Sequence, residues 1–301
     1  MKNLLLSAIC IVSLFLSSCQ NWIDVNPKTD IEAEEFFTSE DGFKSALTGL
    51  YSMMVLEKSY GRQMTFDFVE KLVQRYDNYA AGSVTDEERA AIYKYGETTS
   101  SKNAIAEIWL KLYNEIANIN NFLQYLESNG DVIVTEGYRD LMKGEALGLR
   151  AFHYFDLLRL FAPYDFSSEA KPAIPYVKEA RPAIAPQLTP AKFVEYALED
   201  VNAAIALLKE DPILTGKDIT GMDNGYLANR NFHLNYYAAV GLKARICLYA
   251  GNTKDAYDAA NEVILAQQNS DLFPWVKTED ITTTTIELRD RTFSTEHLFA
   301  F

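Results

Sequence analysis

Apolar side chains recur every three or four residues along most of this chain, which is the spacing of one face of an α-helix. Alternation with a period of two is weak and occurs only near residues 281–288 and 297–301, where we predict short strands. We therefore predict an all-α dominated fold. The predicted helices lie at about residues 40–57, 101–127, 136–161, 189–209, 232–249 and 254–267.

The second half of the helix predicted at 136–161 is apolar nearly all round, so we expect it to have neighbours on several sides. Four charged residues nevertheless occur in it: Glu145, Arg150, Asp156 and Arg159. Buried charges need partners, and Asp156 and Arg159 are three residues apart on one helical face. We interpret these charges as structural rather than ligand-binding.

A tight turn containing Gly251 joins the last two predicted helices, and Ala256 and Ala260 follow it. This pattern resembles half of a tetratricopeptide repeat, in which small residues let two helices pack closely. We predict tandem tetratricopeptide-like helix pairs with long irregular loops. The expected core residues include Ala151, Phe155, Leu158, Ala244 and Leu248.

The first nineteen residues indicate export. Met1–Asn3 is a short positive start, the apolar run 4–16 is too short to span a bilayer, and Ser17–Cys19 closes it. This pattern resembles a bacterial lipoprotein signal that is cleaved before an acylated Cys19, and two or three acyl chains would hold the protein stably in a membrane. An ordinary secretory signal with a chance cysteine is the alternative. The predicted regions are a signal peptide at 1–18, an extended leader at 19–37 and a helical domain at 38–301.

The chain has 42 acidic and 28 basic side chains, and loss of residues 1–18 removes only Lys2, which leaves a formal charge of −15. Such a charge disfavours binding to nucleic acid or to anionic lipid, so the lipid anchor is the only predicted membrane contact. The hydrophobic fraction of 48% is that of a globular domain. Cys247 has no cysteine partner in the mature chain and is expected in the core.

Motifs of enzymes and metal sites are missing from the sequence. The three histidines, His153, His233 and His297, do not have the spacing of a zinc helix, and there is no nucleophile elbow, dinucleotide fingerprint or phosphate loop. The stretch 220–231 lacks calcium ligands at key positions of an EF-hand loop. We predict a protein that is not an enzyme and that needs no cofactor.

Five segments in order resemble SusD/RagB-type lipoproteins, the surface nutrient-binding proteins of Bacteroidetes-like bacteria. The most recognisable is Glu145–Phe161, whereas Ala162 and the stretch 229–233 depart from the usual family pattern. Family members usually run well past this length, so the resemblance implies the N-terminal part of a SusD-like fold, truncated at its C-terminus. The other matching segments are Trp22–Pro27 after Cys19, Ala173–Tyr176, Glu199–Ala204 and Ala244–Ile264.

The resemblance implies a surface-exposed lipoprotein of the outer membrane. It would bind a nutrient, an oligosaccharide or possibly a peptide, and deliver it to a SusC-like TonB-dependent transporter. The alternative is a helical-repeat scaffold lipoprotein that organises outer-membrane complexes without binding a nutrient. A lipid-anchored hydrolase is disfavoured by the lack of catalytic motifs.

The predicted ligand site lies between the first two strong helices, where helical periodicity is weakest and glycines and aromatic residues interleave with charges. In the family, loops that leave the first helix contribute to the ligand face. Tyrosine rings stack on sugar faces or peptide backbones, and Arg, Asp and Asn supply directional hydrogen bonds. Packing of Tyr76 and Tyr79 onto the helices is the competing interpretation. The candidate residues are Arg75, Tyr76, Asp77, Asn78, Tyr79, Tyr93 and Tyr95.

Overall fold

A computed structural model describes residues 36–74, 86–180, 184–215, 223–270 and 272–300. These residues are mostly helical, and a compact body begins at Ser39. The helices are α1 (Glu40–Met54), α2 (Phe68–Leu72), α3 (Asp86–Ala91), α4 (Thr99–Asn129), α5 (Tyr138–Phe161), α6 (Pro190–Leu207), α7 (Pro212–Thr215), α8 (Tyr236–Tyr249), α9 (Thr253–Ser270) and α10 (Thr278–Thr282).

One small antiparallel sheet interrupts the proline-rich crossover between α5 and α6. It pairs β1 (Ile174–Pro175) with β2 (Gln187–Leu188), and Ile174 lies opposite Leu188. No described helix is both long and apolar enough to cross a bilayer. The predicted helical class is confirmed.

Local capping sets where the helices begin. Ser39 caps α1 by accepting a hydrogen bond from the Gly42 N–H, and the helix begins at its predicted position of about residue 40. The cap of α4 is Thr98, which accepts from the Ser101 N–H, so this helix begins at Thr99, two residues before its predicted start at about residue 101. Asn235 caps α8, which therefore begins four residues later than expected.

The short strands predicted near the end of the chain are wrong for the described residues. Residues 278–282 form α10, and short 3₁₀ helices follow at Ile286–Leu288 and Ser294–Glu296. The carboxylate of Asp290 accepts hydrogen bonds from the backbone and hydroxyl groups of Thr292 and Ser294. These local bonds favour turns over an extended ladder.

Helix α5 is the enclosed element that its sequence predicts, since Leu149, Ala151 and Tyr154 are fully buried against α4, α6 and α8. Gly148 allows Leu234, which precedes α8, to pack closely against α5. A Cβ atom on Gly148 would lie 2.1 Å from Leu234 Cδ2, so any side chain there would have to displace the buried Leu234 side chain.

The buried charges of α5 are paired within the fold, as predicted. Arg150 donates two hydrogen bonds of 2.7 Å to Asp200 on α6 and one of 2.9 Å to Asn120 on α4. The Tyr176 hydroxyl also donates to Asp200. This cluster joins three helices and the crossover through bonds that are strong because they are charge-assisted.

A second buried cluster surrounds Glu145. Arg230 donates to Glu145 at 2.7 Å and to both carboxylate oxygens of Asp211 at 2.9 Å, while His233 Nδ1 lies 3.0 Å from Glu145. Burial acts to raise the pKa of Glu145, but the charges of Arg230 and His233 outweigh it and hold that pKa at about 2. Glu145 therefore stays ionised inside the protein.

The predicted core is correct on α5 and wrong on α8. Ala151, Phe155 and Leu158 are buried, whereas Ala244 is half-buried and Leu248 is 63% exposed. Helix α8 is apolar on more than one face, so its spacing does not identify the inward face. Ala244 and Leu248 line a cavity of about 1060 Å³ between α8, α9, the end of α5 and residues 296–299. Cys247 is buried as expected.

Candidate functional site

The chain between α1 and α2 folds as a series of tight turns held to the core at two points. The Tyr60 hydroxyl donates to Asp156 on α5 at 2.8 Å, and the Ser59 hydroxyl donates to Glu115 on α4 at 3.1 Å. Gly61 is required here, because a Cβ atom would lie 2.1 Å from the Val55 carbonyl oxygen. These contacts fix the segment that leads into α2.

Helices α2 and α3 are tied together where each one ends. The side-chain amide of Gln74 donates to the Ala91 carbonyl at 2.9 Å. Tyr93 follows α3 with a φ of 61°, in the left-handed region, and this turn precedes a 3₁₀ helix that begins at Tyr95. The fold thus presents two tyrosines two residues apart beside α2.

Tyr93 and Tyr95 line one small pocket, which we call the aromatic pocket. Its volume is about 440 Å³, and the two tyrosine side chains at its edge are 60% and 40% exposed. The remaining lining is apolar and comes from α2, α4 and the end of α5. These residues are Phe68, Leu72, Ile105, Ile108, Leu160 and Phe161.

Further aromatic rings pack against Phe161, one of the residues that line the aromatic pocket. Phe161 contacts Trp109 edge to face, with ring centroids 5.0 Å apart, and Trp109 contacts Tyr113 at 4.7 Å. Rings packed in this way extend the apolar lining, and the exposed tyrosines of the same pocket combine a flat apolar face with a hydroxyl. The arrangement suits a ligand with one apolar face and a polar edge.

A second pocket, which we call the polar pocket, shares Phe68 with the aromatic pocket and has a volume of about 380 Å³. Its charged groups are paired: Asp67 lies 3.2 Å from Arg62 Nε and 2.5 Å from Lys71 Nζ, and Glu107 lies 2.8 Å from Lys58 Nζ. The lining residues are Arg62, Gln63, Asp67, Phe68, Lys71, Ala90, Ser100, Ser101, Asn103, Ala104 and Glu107.

The structure brings together two of the residues that were predicted from sequence, Tyr93 and Tyr95. The predicted residues Arg75, Tyr76, Asp77, Asn78 and Tyr79, and the predicted lipidation site Cys19, lie outside the described residues.

Sequence reasoning missed the polar pocket. Its sequence signal is the polar face at the start of α4, where Ser100, Asn103 and Glu107 follow one another at helical spacing.

The histidines are engaged in the fold. His153 Nε2 lies 3.0 Å from Glu115, His233 Nδ1 lies 3.0 Å from Glu145, and His297 Nε2 lies 2.7 Å from the Thr292 carbonyl. Within the part of the chain that the structure describes, no group of three or more His, Cys, Asp or Glu side chains could hold a metal ion.

Comparison with known proteins shows which family this chain resembles. A SusD-like family model with the description "Starch-binding associating with outer membrane" matches residues 21–216. Two SusD-like proteins of Formosa agariphila are similar in sequence. The chain is 23% identical to protein P38 over 270 residues, or 89% of this chain and 47% of that protein. It is 28% identical to protein P25 over 177 residues, or 56% of this chain and 32% of that protein.

Solved structures of the same superfamily have a similar fold. A SusD superfamily protein from Bacteroides vulgatus superposes with a TM-score of 0.61 at 21% identity, covering 80% of this chain and 50% of that one. One from Bacteroides thetaiotaomicron gives a TM-score of 0.58 at 24% identity, covering 79% and 48%.

The chain spans a third to a half of the length of these curated relatives and about half of these solved chains. The family model covers well over half of the chain itself, and it includes the segment Glu145–Phe161 on which the sequence resemblance depends most. This protein therefore belongs to the SusD-like family.

Proposed function

We propose that the protein binds a glycan and that the aromatic pocket is part of the contact surface. The observation that carries the proposal is the pair of exposed tyrosines, Tyr93 and Tyr95, that line an otherwise apolar pocket. The family description names starch binding, and a similar solved structure from Bacteroides vulgatus is titled a SusD-like carbohydrate binding protein.

Binding of a sugar here follows from the chemistry of both partners. A pyranose ring has an apolar face of C–H groups and an edge of hydroxyls. The tyrosine rings cover the face, and the polar side chains beside α2 take hydroxyls. Arg75, Tyr76, Asp77, Asn78 and Tyr79, which immediately follow α2 and Gln74 in the chain, are proposed to complete the surface. We propose capture and release without bond cleavage, so the protein is not an enzyme.

The remaining parts of the proposal concern where the protein works. Residues 1–18 act as a signal peptide, Cys19 carries the lipid anchor, 19–37 form a leader, and the domain at 38–301 faces the exterior. The bound glycan passes to a SusC-like TonB-dependent transporter. The support is the sequence pattern around Cys19 and the family description, which places its members at the outer membrane.

A binding titration with maltoheptaose tests the proposal, because the family description names starch. We expect Tyr93→Ala and Tyr95→Ala each to weaken binding by about tenfold, since loss of one stacking ring costs on the order of 1 kcal/mol. Tyr76→Ala and Tyr79→Ala test the neighbouring predicted residues in the same assay.

Tyr164→Ala is the matched control, because Tyr164 is exposed and lies outside both pockets. Equal affinities of the wild type and all four site variants, with unchanged thermal unfolding, would contradict the proposed surface.

A further inference from the structure

His153 on α5 and Glu115 on α4 form a buried pair of ionisable groups behind the proposed binding surface. Their side chains belong to residues that are 0% and 2% exposed. His153 Nε2 lies 3.0 Å from Glu115 Oε2, and His153 Nδ1 lies 2.6 Å from the Leu149 carbonyl oxygen. Both ring nitrogens of this histidine therefore face an acceptor atom.

This geometry requires one proton more than a neutral histidine beside an ionised carboxylate holds. A neutral imidazole carries a single N–H and donates one hydrogen bond, whereas the imidazolium donates two. If the proton leaves, one ring nitrogen turns a lone pair towards an oxygen atom, and that contact becomes repulsive. The two contacts of His153 therefore coexist only while the pair holds the additional proton, on the imidazole or on the carboxyl group.

Four other ionisable groups surround the buried pair. They are Lys111 on α4, Asp156 and Arg159 on α5, and Tyr60 on the turns between α1 and α2. Lysine, arginine and aspartate side chains ordinarily keep their charges near neutral pH. Burial and the charge of Asp156 raise the pKa of the Tyr60 hydroxyl well above its ordinary value, so Tyr60 keeps its proton. Histidine is the side chain that exchanges a proton between about pH 5 and pH 8, so His153 gives this cluster its response to pH.

The buried pair holds the turns between α1 and α2 through Ser59. The Ser59 hydroxyl donates, at 3.1 Å, to the same oxygen of Glu115 that faces His153. Ser59 is itself fully buried. The other carboxylate oxygen of Glu115 has no hydrogen-bond partner within the described part of the chain. Any shift of the shared oxygen away from His153 therefore acts directly on Ser59.

Backbone hydrogen bonds connect Ser59 to the aromatic pocket. The Ser59 carbonyl accepts from the Met64 N–H at 3.0 Å, and the N–H of Val69 on α2 donates to the Gln63 carbonyl at 3.1 Å. Phe68 precedes Val69 on α2 and lines the aromatic pocket. The position of this wall of the pocket therefore depends on where Ser59 is held.

We propose that the buried pair of His153 and Glu115 is a proton-dependent contact that positions α2 and so regulates glycan binding at the aromatic pocket. With the proton bound, Glu115 holds both His153 and Ser59, and the wall of the pocket is fixed. Loss of the proton weakens this arrangement and lowers the affinity for glycan. The inference rests on the proposed function, because it assigns a regulation of that site.

A titration with maltoheptaose at about pH 5.5, 6.5 and 7.5 tests the inference, because this neutral sugar has no group that titrates in that range. We expect wild-type affinity to fall about fivefold from the lowest to the highest pH, which is the effect of one ordinary hydrogen bond. His153→Gln cannot take up the proton and should have the same affinity at each pH. His297→Gln is the matched control and should keep the wild-type dependence, because His297 contacts the Thr292 carbonyl and lies outside the aromatic pocket.

Ser59→Ala is the second variant, because it removes the link to the turns and leaves the buried pair in place. Its affinity for maltoheptaose should no longer depend on pH. A purely structural role of the pair would change the thermal unfolding of these variants without removing the pH dependence of binding. The same pH dependence in wild type, His153→Gln and Ser59→Ala, or none in the wild type, would overturn the inference.

NMR signals of the backbone amides of residues 57–72 follow the buried pair without any glycan. They should shift between about pH 5.5 and 7.5 in the wild type and stay constant in His153→Gln. Failure of the wild type to bind maltoheptaose at any pH would contradict the proposed function, while these signals still decide whether the pair positions α2. Wild-type signals that do not change with pH would show that it does not.

Discussion

At the scale of single residues, the decisive features are buried charges with distant partners. Glu145 and Arg230 are 85 residues apart in sequence, and Arg150 and Asp200 are 50 apart. The sequence indicated that such charges must pair, because an isolated buried charge is too costly. It could not name the partners, since several acidic and basic residues were equally available.

Glu145 makes the stability of the protein depend on acidity. Its folded pKa of about 2 lies below the usual unfolded value of about 4.3, so it stabilises the fold above that unfolded value. This contribution is lost as pH falls from about 4.3 towards 2. We expect the melting temperature to fall over that range, as measured by circular dichroism.

Glu145→Gln is the control for this pH dependence. It should be less stable at pH 6 by about 3 kcal/mol, because Arg230 loses one carboxylate partner, and its melting temperature should fall less steeply with acid. A variant with the same acid slope as the wild type would show that other carboxylates set it.

At the scale of elements, the positions of the helices could be predicted from apolar spacing and caps. The face of α8 that packs towards the core could not. Helix α6 begins at its predicted position of about residue 189, because its threonine cap and first-turn proline are local signals. The inward face of α8 was not predictable, because its apolar residues surround the helix. Packing of α8 against α9 and α6 selects which of its apolar residues are buried.

Two substitutions on α8 test this orientation. Ala239 is fully buried and Ala244 is half-buried beside the large cavity. Ala239→Trp should cost about 1–3 kcal/mol or more by overpacking, whereas Ala244→Trp should stay within about 0.5 kcal/mol. Urea unfolding of both variants measures the difference. Equal destabilisation would mean that Ala244 belongs to the core after all.

At the scale of the whole molecule, the family and the lipid anchor rest on different observations. The family model, the relatives and the solved structures establish the SusD-like fold. The anchor remains a prediction from the pattern around Cys19, where Gln20 rather than aspartate follows and the usual inner-membrane retention signal is missing.

Cys19→Ala tests the anchor directly. Without the thiol no acyl chain can be attached, so we expect the variant to leave the membrane fraction while the wild type stays with the outer membrane. Fractionation followed by immunoblotting measures this, and Cys247→Ala, which leaves the predicted anchor intact, is the control. Retention of Cys19→Ala in the outer membrane would contradict lipid anchoring.

The sequence alone determined the helical class, most helix positions, the enclosed character of α5 and the family. These depend on periodicity, caps and ordered motifs, which act within a few residues of each other. Tertiary structure alone decided that Tyr93 and Tyr95 share a pocket with Phe161, and that Gln63 faces a pocket beside them. The residues that line each pocket come from different helices and are far apart in the sequence, so only the packing of the helices brings them together.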